Sequence, residues 1–314
     1  MQISGGVTLS GGVNLAPGSG AAPTPVTGNN QGTNYGYDST GQAGPGALST
    51  IQKYSYASDG NATNVADTAN AIIWGTGSSS TTSGYVVAGY DGNTYANIQK
   101  FTFSTDSDAT SVANLTTATR LASGQSSSTN GYSSGGITAT SNNNEIQKFP
   151  FSADNDATDV ADLLSSRSST SGQSSSTHGY TSGNTNVIEK FPFSADSNST
   201  DVGDLINTPD KPTGQNSSTH GYVSGGDAPQ DDNDTIQKFS FSSDSNATNV
   251  GNLTVGATRL CGTSSTTYGY STGGLTPAYS NIIDKFSFSS DGDATDVGDL
   301  TIAKEAGTNT GQQY

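Results

Sequence analysis

The chain has 314 residues, of which only 30% are hydrophobic, so a single large apolar core is not expected. Its net charge of −16 argues against a nucleic-acid partner, because phosphates require a basic face. The one cysteine, Cys261, excludes an internal disulfide and is expected to be a small buried residue. No apolar run approaches the roughly 20 residues of a membrane span, so we expect no membrane insertion.

Residues 1–33 lie outside the repeat that follows and end in a proline-rich linker. Ile3, Leu9 and Leu15 recur every six residues, and Val7 and Val13 each follow a Gly-Gly pair. This strand-like alternation is too short to bury a core by itself. We therefore expect an anchoring arm whose five apolar residues add as a strand to a neighbouring subunit. The alternative is an arm that folds back on its own domain.

From residue 34 onward, one pattern returns six times, with aromatic residues one and three positions after a lysine and an aspartate six after it. The lysines are Lys53, Lys100, Lys148, Lys190, Lys238 and Lys285. Each unit also holds a Gly-Tyr strand, a short strand near a valine such as Val160, and a Ser/Thr-rich strand. Alternation in the lysine strand places Phe149 and Phe151 on one face and Ile146 and Lys148 on the other.

The spacings indicate the architecture. Each lysine is followed 32 residues later by the next Gly-Tyr tyrosine, whereas 8 to 14 residues separate that tyrosine from the next lysine-strand isoleucine. A period near 47 residues with four short strands per unit is typical of a β-propeller. The first unit lacks a Ser/Thr-rich strand and the chain ends with an extra one, near residues 308–313. We predict an all-β, six-bladed propeller over residues 34–314, closed by its C-terminal strand.

The double glycines, the aromatic pair, the aspartate turn and a basic residue near Arg120, Arg167 and Arg259 resemble kelch repeats over residues 35–314. The Asn/Ser/Asp-rich form of the repeat is similar to propeller proteins encoded by phages of marine cyanobacteria. The resemblance implies a kelch-like fold and a virion component. The first basic residue is Lys53, so no classical signal peptide is expected. The expected localisation is the virion, after synthesis in the host cytoplasm.

The eleven basic residues are expected to be structural. Six are the repeated lysines, each predicted to pair with a nearby carboxylate. The other five are predicted to occupy equivalent places after the short strand: Arg120, Arg167, Lys211, Arg259 and Lys304. With one arginine per blade, we expect no arginine cluster of the kind that sialidases use, although the aspartate turn resembles their Asp-box.

The aspartate turns, such as 154–159, have the oxygen-rich composition of a calcium loop. Across the six turns only the first aspartate and one threonine are constant, which favours an Asx-turn over a metal site. We expect no metal and no cofactor. His178 and His220 occupy a position that Ser, Asn and Tyr also fill, so neither is predicted to be catalytic.

All length variation falls in one loop per unit, at 38–50, 91–97, 137–145, 184–187, 227–235 and 275–281. These loops should gather on one face of the propeller, and their Tyr, Asn and Asp residues suit a sugar or a protein partner. The solvated-loop interpretation stays open for each residue. The candidate binding residues are Tyr90, Asp91, Tyr95, Asn142, Asn143, Asp231, Asp232 and Tyr279.

These observations predict a non-catalytic phage virion protein, tail-associated or surface-displayed, held to other virion proteins by its arm. It would adhere to host surface glycan or to another virion protein. The alternatives are a capsid decoration protein, a carbohydrate-active propeller enzyme with converging carboxylates, and a non-viral interaction domain.

Overall fold

The computed structural model describes residues 7–9, 13–15, 31–32, 34–228 and 233–311. It confirms an all-β, six-bladed propeller. Within the described residues, no helix is long and apolar enough to span a membrane. Blades are numbered here in chain order, and their strands are named inner, second, third and outer by position from the central channel.

Each blade is an antiparallel sheet of these four strands. The inner strands are the Ser/Thr-rich ones: Thr308–Gly311, Thr76–Ser79, Ser123–Ser126, Ser171–Ser174, Thr213–Asn216 and Cys261–Ser265. The second strands carry Gly-Tyr: Tyr35–Ser39, Ser83–Tyr90, Asn130–Ser134, His178–Ser182, His220–Ser224 and Tyr268–Thr272.

The third strands carry the repeated lysine: Gly46–Ser55, Thr94–Thr102, Glu145–Pro150, Val187–Pro192, Thr235–Ser240 and Ser280–Ser287. The outer strands are Thr63–Ile72, Thr110–Asn114, Thr158–Asp162, Thr200–Asp204, Thr248–Asn252 and Thr295–Lys304. A two-residue strand, Gln42–Ala43, extends the sheet of blade 1.

Three short segments of residues 1–33 are strands. Val7–Leu9 pairs antiparallel with Val13–Leu15, so the apolar residues predicted to anchor the chain form a small hairpin with each other. Ile3 lies outside the described residues. Gln31–Gly32 pairs in parallel with Ser264 and Ser265 of the blade 6 inner strand.

The C-terminal strand closes the ring as predicted. Thr308–Gly311 pairs antiparallel with Tyr35–Ser39 and becomes the inner strand of blade 1. At this seam Lys304 Nζ lies 2.7 Å from Asp38 Oδ1, with both side chains 1% exposed, and donates to Thr40 O at 2.6 Å. Thr272 Oγ1 of blade 6 donates to Asp38 Oδ2 at 2.7 Å. A buried charged pair therefore stabilises the closure of the ring, in addition to the sheet hydrogen bonds of the C-terminal strand.

The apolar core is divided among the blade interfaces. Tyr132 of blade 3 packs against Phe191 and Phe193 of blade 4, with ring centroids 5.5 and 4.9 Å apart, and the same arrangement recurs at every interface. The glycine before the tyrosine is required, because a Cβ on Gly131 would lie 2.2 Å from the Phe149 ring of its own blade. Thin aromatic layers replace the single core that the composition excludes.

Near the channel the interfaces are polar. Gln125 Nε2 of blade 3 donates to Tyr180 O of blade 4 at 2.9 Å and to its own blade's Ser134 Oγ at 2.9 Å. The inner strands also approach closely, since a Cβ on Gly124 would lie 2.1 Å from Gly77 O. Buried Ser, Thr and Gln side chains, many of them hydrogen-bonded to one another, therefore fill the centre of the ring.

Each repeated lysine pairs with the constant aspartate of the next blade's turn. The Nζ–Oδ distances are 2.5 to 2.9 Å, and the pair Lys285–Asp59 closes the circle from blade 6 to blade 1. The predicted pairing is confirmed. The constant aspartate, which we assigned to an Asx-turn, is thus explained by a contact between blades.

Replacing Lys148 by Met is expected to lower stability only slightly, by about 1 kcal/mol or less. Asp196, its partner, is 52% exposed, and exposed ion pairs contribute little. Urea denaturation measures the change, and Ser152→Ala, in the turn of the same blade, is the control. A loss of several kcal/mol would show that the lysine stem or its charge has a larger structural role than the exposure of the pair indicates.

The residue before each repeated lysine is buried. Its side chain accepts a hydrogen bond from a backbone N–H near the end of the outer strand in the preceding blade. It is Gln52, Gln99, Gln147, Glu189, Gln237 or Asp284. Asp284 accepts from Thr254 N at 2.9 Å and Thr254 Oγ1 at 2.6 Å. Burial raises the pKa of Asp284 above its ordinary value of 3.8 despite these bonds.

Because its folded pKa is raised, Asp284 stabilises the fold most below its unfolded pKa, and that contribution is lost as pH rises through the folded pKa. Asp284→Asn removes this titration. We expect the variant's stability, relative to the parent protein, to increase from pH 3 to pH 7. Thermal unfolding at a series of pH values measures this difference, with the exposed Asp293→Asn as control. A difference independent of pH would contradict the raised pKa.

Candidate functional site at the channel mouth

Second strands end, third strands begin and outer strands cross to the next blade at the same end of the propeller. This end is called the loop face. Here six residues, one at each blade junction, form a closed ring of backbone hydrogen bonds, and we name it the mouth ring. Its members are Trp74, Leu121, Ser169, Lys211, Arg259 and Ala306, with N–O distances of 2.9 to 3.1 Å.

Every residue of the mouth ring has a φ between 55° and 60°. This left-handed conformation costs a non-glycine residue about 1 kcal/mol or more, so the surrounding bonds must hold it. Leu121 N donates to Trp74 O, and Trp74 N donates to Ala306 O, which closes the circle. Strained backbone concentrated at one opening is typical of functional sites.

The mouth ring surrounds a cavity of about 70 Å³ at the end of the channel. The six residues that follow ring members carry no charge and line the cavity too: Gly75, Ala122, Thr170, Pro212, Leu260 and Gly307. A second cavity of about 90 Å³ continues between the inner strands, lined by Ser, Thr and Gly. The described part of the chain therefore has a polar channel that opens at the mouth ring.

Two cations lie side by side in the mouth ring. Arg259 N donates to Lys211 O at 3.0 Å, and both residues line the cavity. Lys211 pairs with Asp210, and Arg259 Nη1 lies 2.7 Å from Glu305 Oε1. Among the described residues that line this cavity, Arg259 is the one arginine, and its neighbour is a lysine. The expectation that the five other basic residues occupy equivalent places is wrong.

These basic residues differ in their distance from a buried leucine near the end of the outer strand, which five of the six blades have and blade 1 replaces with Thr68. Lys211 and Arg259 follow Leu205 and Leu253 by six positions, as Leu121 follows Leu115. Arg120 comes five positions after its leucine, and Arg167 and Lys304 come four after theirs. Only the sixth position faces the mouth. The constant spacing of six was the available signal, and our sequence reasoning missed it.

The other three basic residues serve different purposes. Arg167 is buried against Glu189, and Lys304 against Asp38, as described at the seam. Burial lowers the pKa of the Arg167 guanidinium, although the Glu189 carboxylate opposes that shift. Arg120 lies over the Tyr90 ring at 4.5 Å and donates from Nη1 to Thr94 Oγ1 at 2.8 Å.

Beside the mouth, Trp74, Tyr90 and Arg120 form a half-buried cluster that we name the aromatic platform. The Trp74 and Tyr90 rings stack with centroids 5.6 Å apart and an interplanar angle of 21°. Asp91 and Tyr95 adjoin the platform, where Tyr95 Oη donates to Asp91 Oδ2 at 2.7 Å. This hydrogen bond lowers the pKa of Asp91 and raises that of Tyr95. The structure thus brings three predicted binding residues together in blade 2.

The remaining predicted binding residues do not join that group. Ser168 Oγ donates to Asn142 Oδ1 at 3.1 Å, and Asn143 Oδ1 accepts from Glu145 N at 3.2 Å, so both support the loop of blade 3. Tyr279 Oη donates to Gly44 O of blade 1 at 3.2 Å. Tyr95 lies in a strand, not in the predicted loop. Asp231 and Asp232 lie outside the described residues.

The acidic turns are on the opposite end and connect blades. The third residue of each turn, Asn or Asp, accepts a backbone N–H from the preceding outer strand at 2.8 to 3.1 Å. Either side chain supplies that Oδ1 acceptor, which explains why Asn and Asp interchange. Across the described ranges, no group of three or more His, Cys, Asp and Glu side chains is arranged to hold a metal ion.

Chelation therefore is expected to leave the melting curve unchanged. The carboxylates of the turns already bind lysines and backbone amides, and Asn supplies no charge for a calcium ion. Calorimetry with EDTA, compared with the same protein after excess calcium, measures the difference. A shift of more than a few degrees between the two samples would restore the calcium-loop interpretation.

His178 and His220 begin second strands at this same opposite end. Each ring Nδ1 lies 2.8 Å from a neighbouring threonine hydroxyl, and burial lowers the pKa of both imidazoles. The tyrosines of the aromatic layers are also neutral, since burial raises the pKa of Tyr132 to about 12.

No protein-family model matches the chain, and no curated protein matches it either.

Proposed function

We propose that this protein is a non-catalytic adhesive module that uses its loop face for recognition, displayed on a phage particle. The propeller fold is consistent with adhesion or protein interaction. One observation carries the proposal for the loop face. Side chains that obey the repeat join blades to one another, whereas the side chains of the aromatic platform and the mouth ring differ from blade to blade and lie at one opening.

The rigidity of the scaffold supports display over catalysis by moving parts. The inner strands, the lysine–aspartate pairs and the mouth ring each close a complete circle through the blades. Binding surfaces held in one geometry lose little entropy when they engage a partner. A glycan and a protein are both suitable partners for stacked aromatic rings flanked by Arg and Asp.

The resemblance to kelch-like phage propellers is the reason to propose a virion location. The left-handed backbone pair of the double glycine occurs also in blades 1 and 2, as Thr40-Gly41 and Ala88-Gly89, which supports the kelch-like comparison. Residues 1–33 would attach the propeller to other virion proteins. A tail-associated protein and a capsid decoration protein are both compatible with this arrangement.

Adsorption of the purified, labelled protein to host cells tests the recognition face. Trp74→Ala with Tyr90→Ala removes the aromatic platform and is expected to abolish adsorption, while the melting temperature stays close to that of the parent. His220→Ala, on the opposite end, is the matched control. Retained adsorption in the platform variant, or its loss in the control alone, would refute the loop face as the adhesive surface.

Deletion of residues 1–16 tests the attachment. We expect a folded propeller that no longer incorporates into particles, detected by assembly in infected cells with tagged protein. A destabilised propeller would instead favour an arm that docks on its own domain. Normal incorporation without residues 1–16 would refute the anchoring role.

A further inference from the structure

The mouth cavity differs in charge from the rest of the molecule. The chain carries a net charge of −16, yet the residues that line this cavity include Lys211 and Arg259 and no Asp or Glu. Asp210 and Glu305, the partners of these cations, are outside the lining. The cavity is therefore lined by two cations whose carboxylate partners lie outside the lining, so an anion in the cavity would meet the cations and not the carboxylates.

Both cations are held in place and partly accessible. Glu305 is 4% exposed, so it orients Arg259 from below the surface, whereas the Arg259 and Lys211 side chains are 29% and 23% exposed. Arg259 uses Nη1 for Glu305, and its Nε is buried, so Nη2 is the nitrogen that remains for a ligand. A guanidinium anchored at one edge presents donors in the fork geometry that a carboxylate accepts.

The rest of the lining indicates what bears the carboxylate. Trp74 lines the same cavity, with its indole Nε1 buried. Ser169 and Thr170 add hydroxyl groups, and Leu121 and Leu260 add apolar surface. An aromatic ring for C–H stacking, hydroxyls for hydrogen bonds and two cations match a sugar acid better than a bare inorganic anion.

The closed mouth ring limits how a ligand can enter the mouth cavity. All six blade junctions surround the cavity, and its volume of about 70 Å³ accommodates the carboxylate end of one residue. We propose that the mouth cavity binds the terminal sugar acid of a glycan end-on. Lys211 and Arg259 receive the carboxylate, and Trp74 contacts the sugar ring. This inference rests on the proposed function only in taking the ligand to be a surface glycan.

Titration calorimetry with the methyl glycosides of glucuronate and N-acetylneuraminate tests the site, with methyl glucoside as the neutral probe. We expect the protein to bind at least one sugar acid, and to bind the neutral sugar at least about tenfold more weakly. Lys211→Gln is expected to weaken sugar-acid binding by about tenfold or more, since a hydrogen-bonded charge is lost. Lys100→Gln, whose lysine pairs with Asp154 away from the mouth, is the control and should bind normally.

Arg259→Gln alone would leave Glu305 buried without its cation, so Arg259→Gln with Glu305→Gln is the second variant. It is expected to weaken binding as Lys211→Gln does. Absence of sugar-acid binding by the parent protein, equal binding of methyl glucoside, or normal binding by both mouth variants would each overturn the proposal. Preferential binding of peptides with a free C-terminal carboxylate, compared with their amides, would overturn the assignment to sugars.

Cell adsorption of the same variants separates this inference from the proposed function. If the aromatic platform is required for adsorption but no sugar acid binds, the inference fails and the adhesive loop face stands. If sugar acids bind at the mouth but neither mouth nor platform variants change adsorption, the adhesive function fails and the inference stands.

Discussion

Removal of residues 306–314 is expected to lower the melting temperature by at least about 10 °C and to cause association of the protein. The deletion removes the inner strand of blade 1, together with Ala306, and so opens both the mouth ring and the blade sheet. The second strand Tyr35–Ser39 then presents a free edge beside the channel, and such edges pair with other chains. Loss of several kcal/mol corresponds to a shift of this size in a protein this large.

Deletion of residues 312–314 alone is the matched control, because the strand Thr308–Gly311 is kept. Differential scanning calorimetry and light scattering measure the two effects. A protein without residues 306–314 that melts like the control and stays monodisperse would show that closure by this strand does not hold the ring together.

Replacement of Arg167 by Met is expected to destabilise the protein by about 3–5 kcal/mol, because it leaves a buried carboxylate without its cation. Arg167 Nη1 lies 2.9 Å from Glu189 Oε1, and the two side chains are 2% and 1% exposed. Glu189 also accepts from Leu164 N and Ser199 Oγ, so it stays in place when the guanidinium is removed.

The other blades indicate a second substitution that should restore the stability lost in Arg167→Met. Four other blades have Gln where blade 4 has Glu189, and they need no arginine beneath it. Arg167→Met with Glu189→Gln is therefore expected to recover most of the lost stability in urea titrations. Arg120→Met, which removes a half-buried arginine without a carboxylate partner among its described contacts, is the control for lost packing. A double variant as unstable as Arg167→Met would show that packing, not charge, explains the loss.

Much of the fold could be predicted from the sequence because the same residue pattern recurs in six units. Strand types and the lysine pairing follow from a pattern that recurs in every unit, with 32 residues from each lysine to the next tyrosine. Ring closure follows from the strand that the first unit lacks and the end of the chain supplies. The opposite faces assigned to Phe149 and Lys148 are confirmed, since Phe149 contacts Tyr85 of blade 2 and Lys148 contacts Asp196 of blade 4. Period-2 alternation within one strand determines these directions.

The candidate site needed the tertiary structure. Lys211 and Arg259 are 48 residues apart and meet only because successive blade junctions converge on the channel axis. After the outer strand, the backbone leaves the regular strand geometry. A shift of one or two sequence positions there decides whether a basic residue faces the mouth or a buried carboxylate. Arg167 and Arg259 look alike in the sequence and have opposite environments in the fold. Within a strand, the alternation of residues determines which way each side chain points. In these junctions, the hydrogen bonds between blades determine it instead.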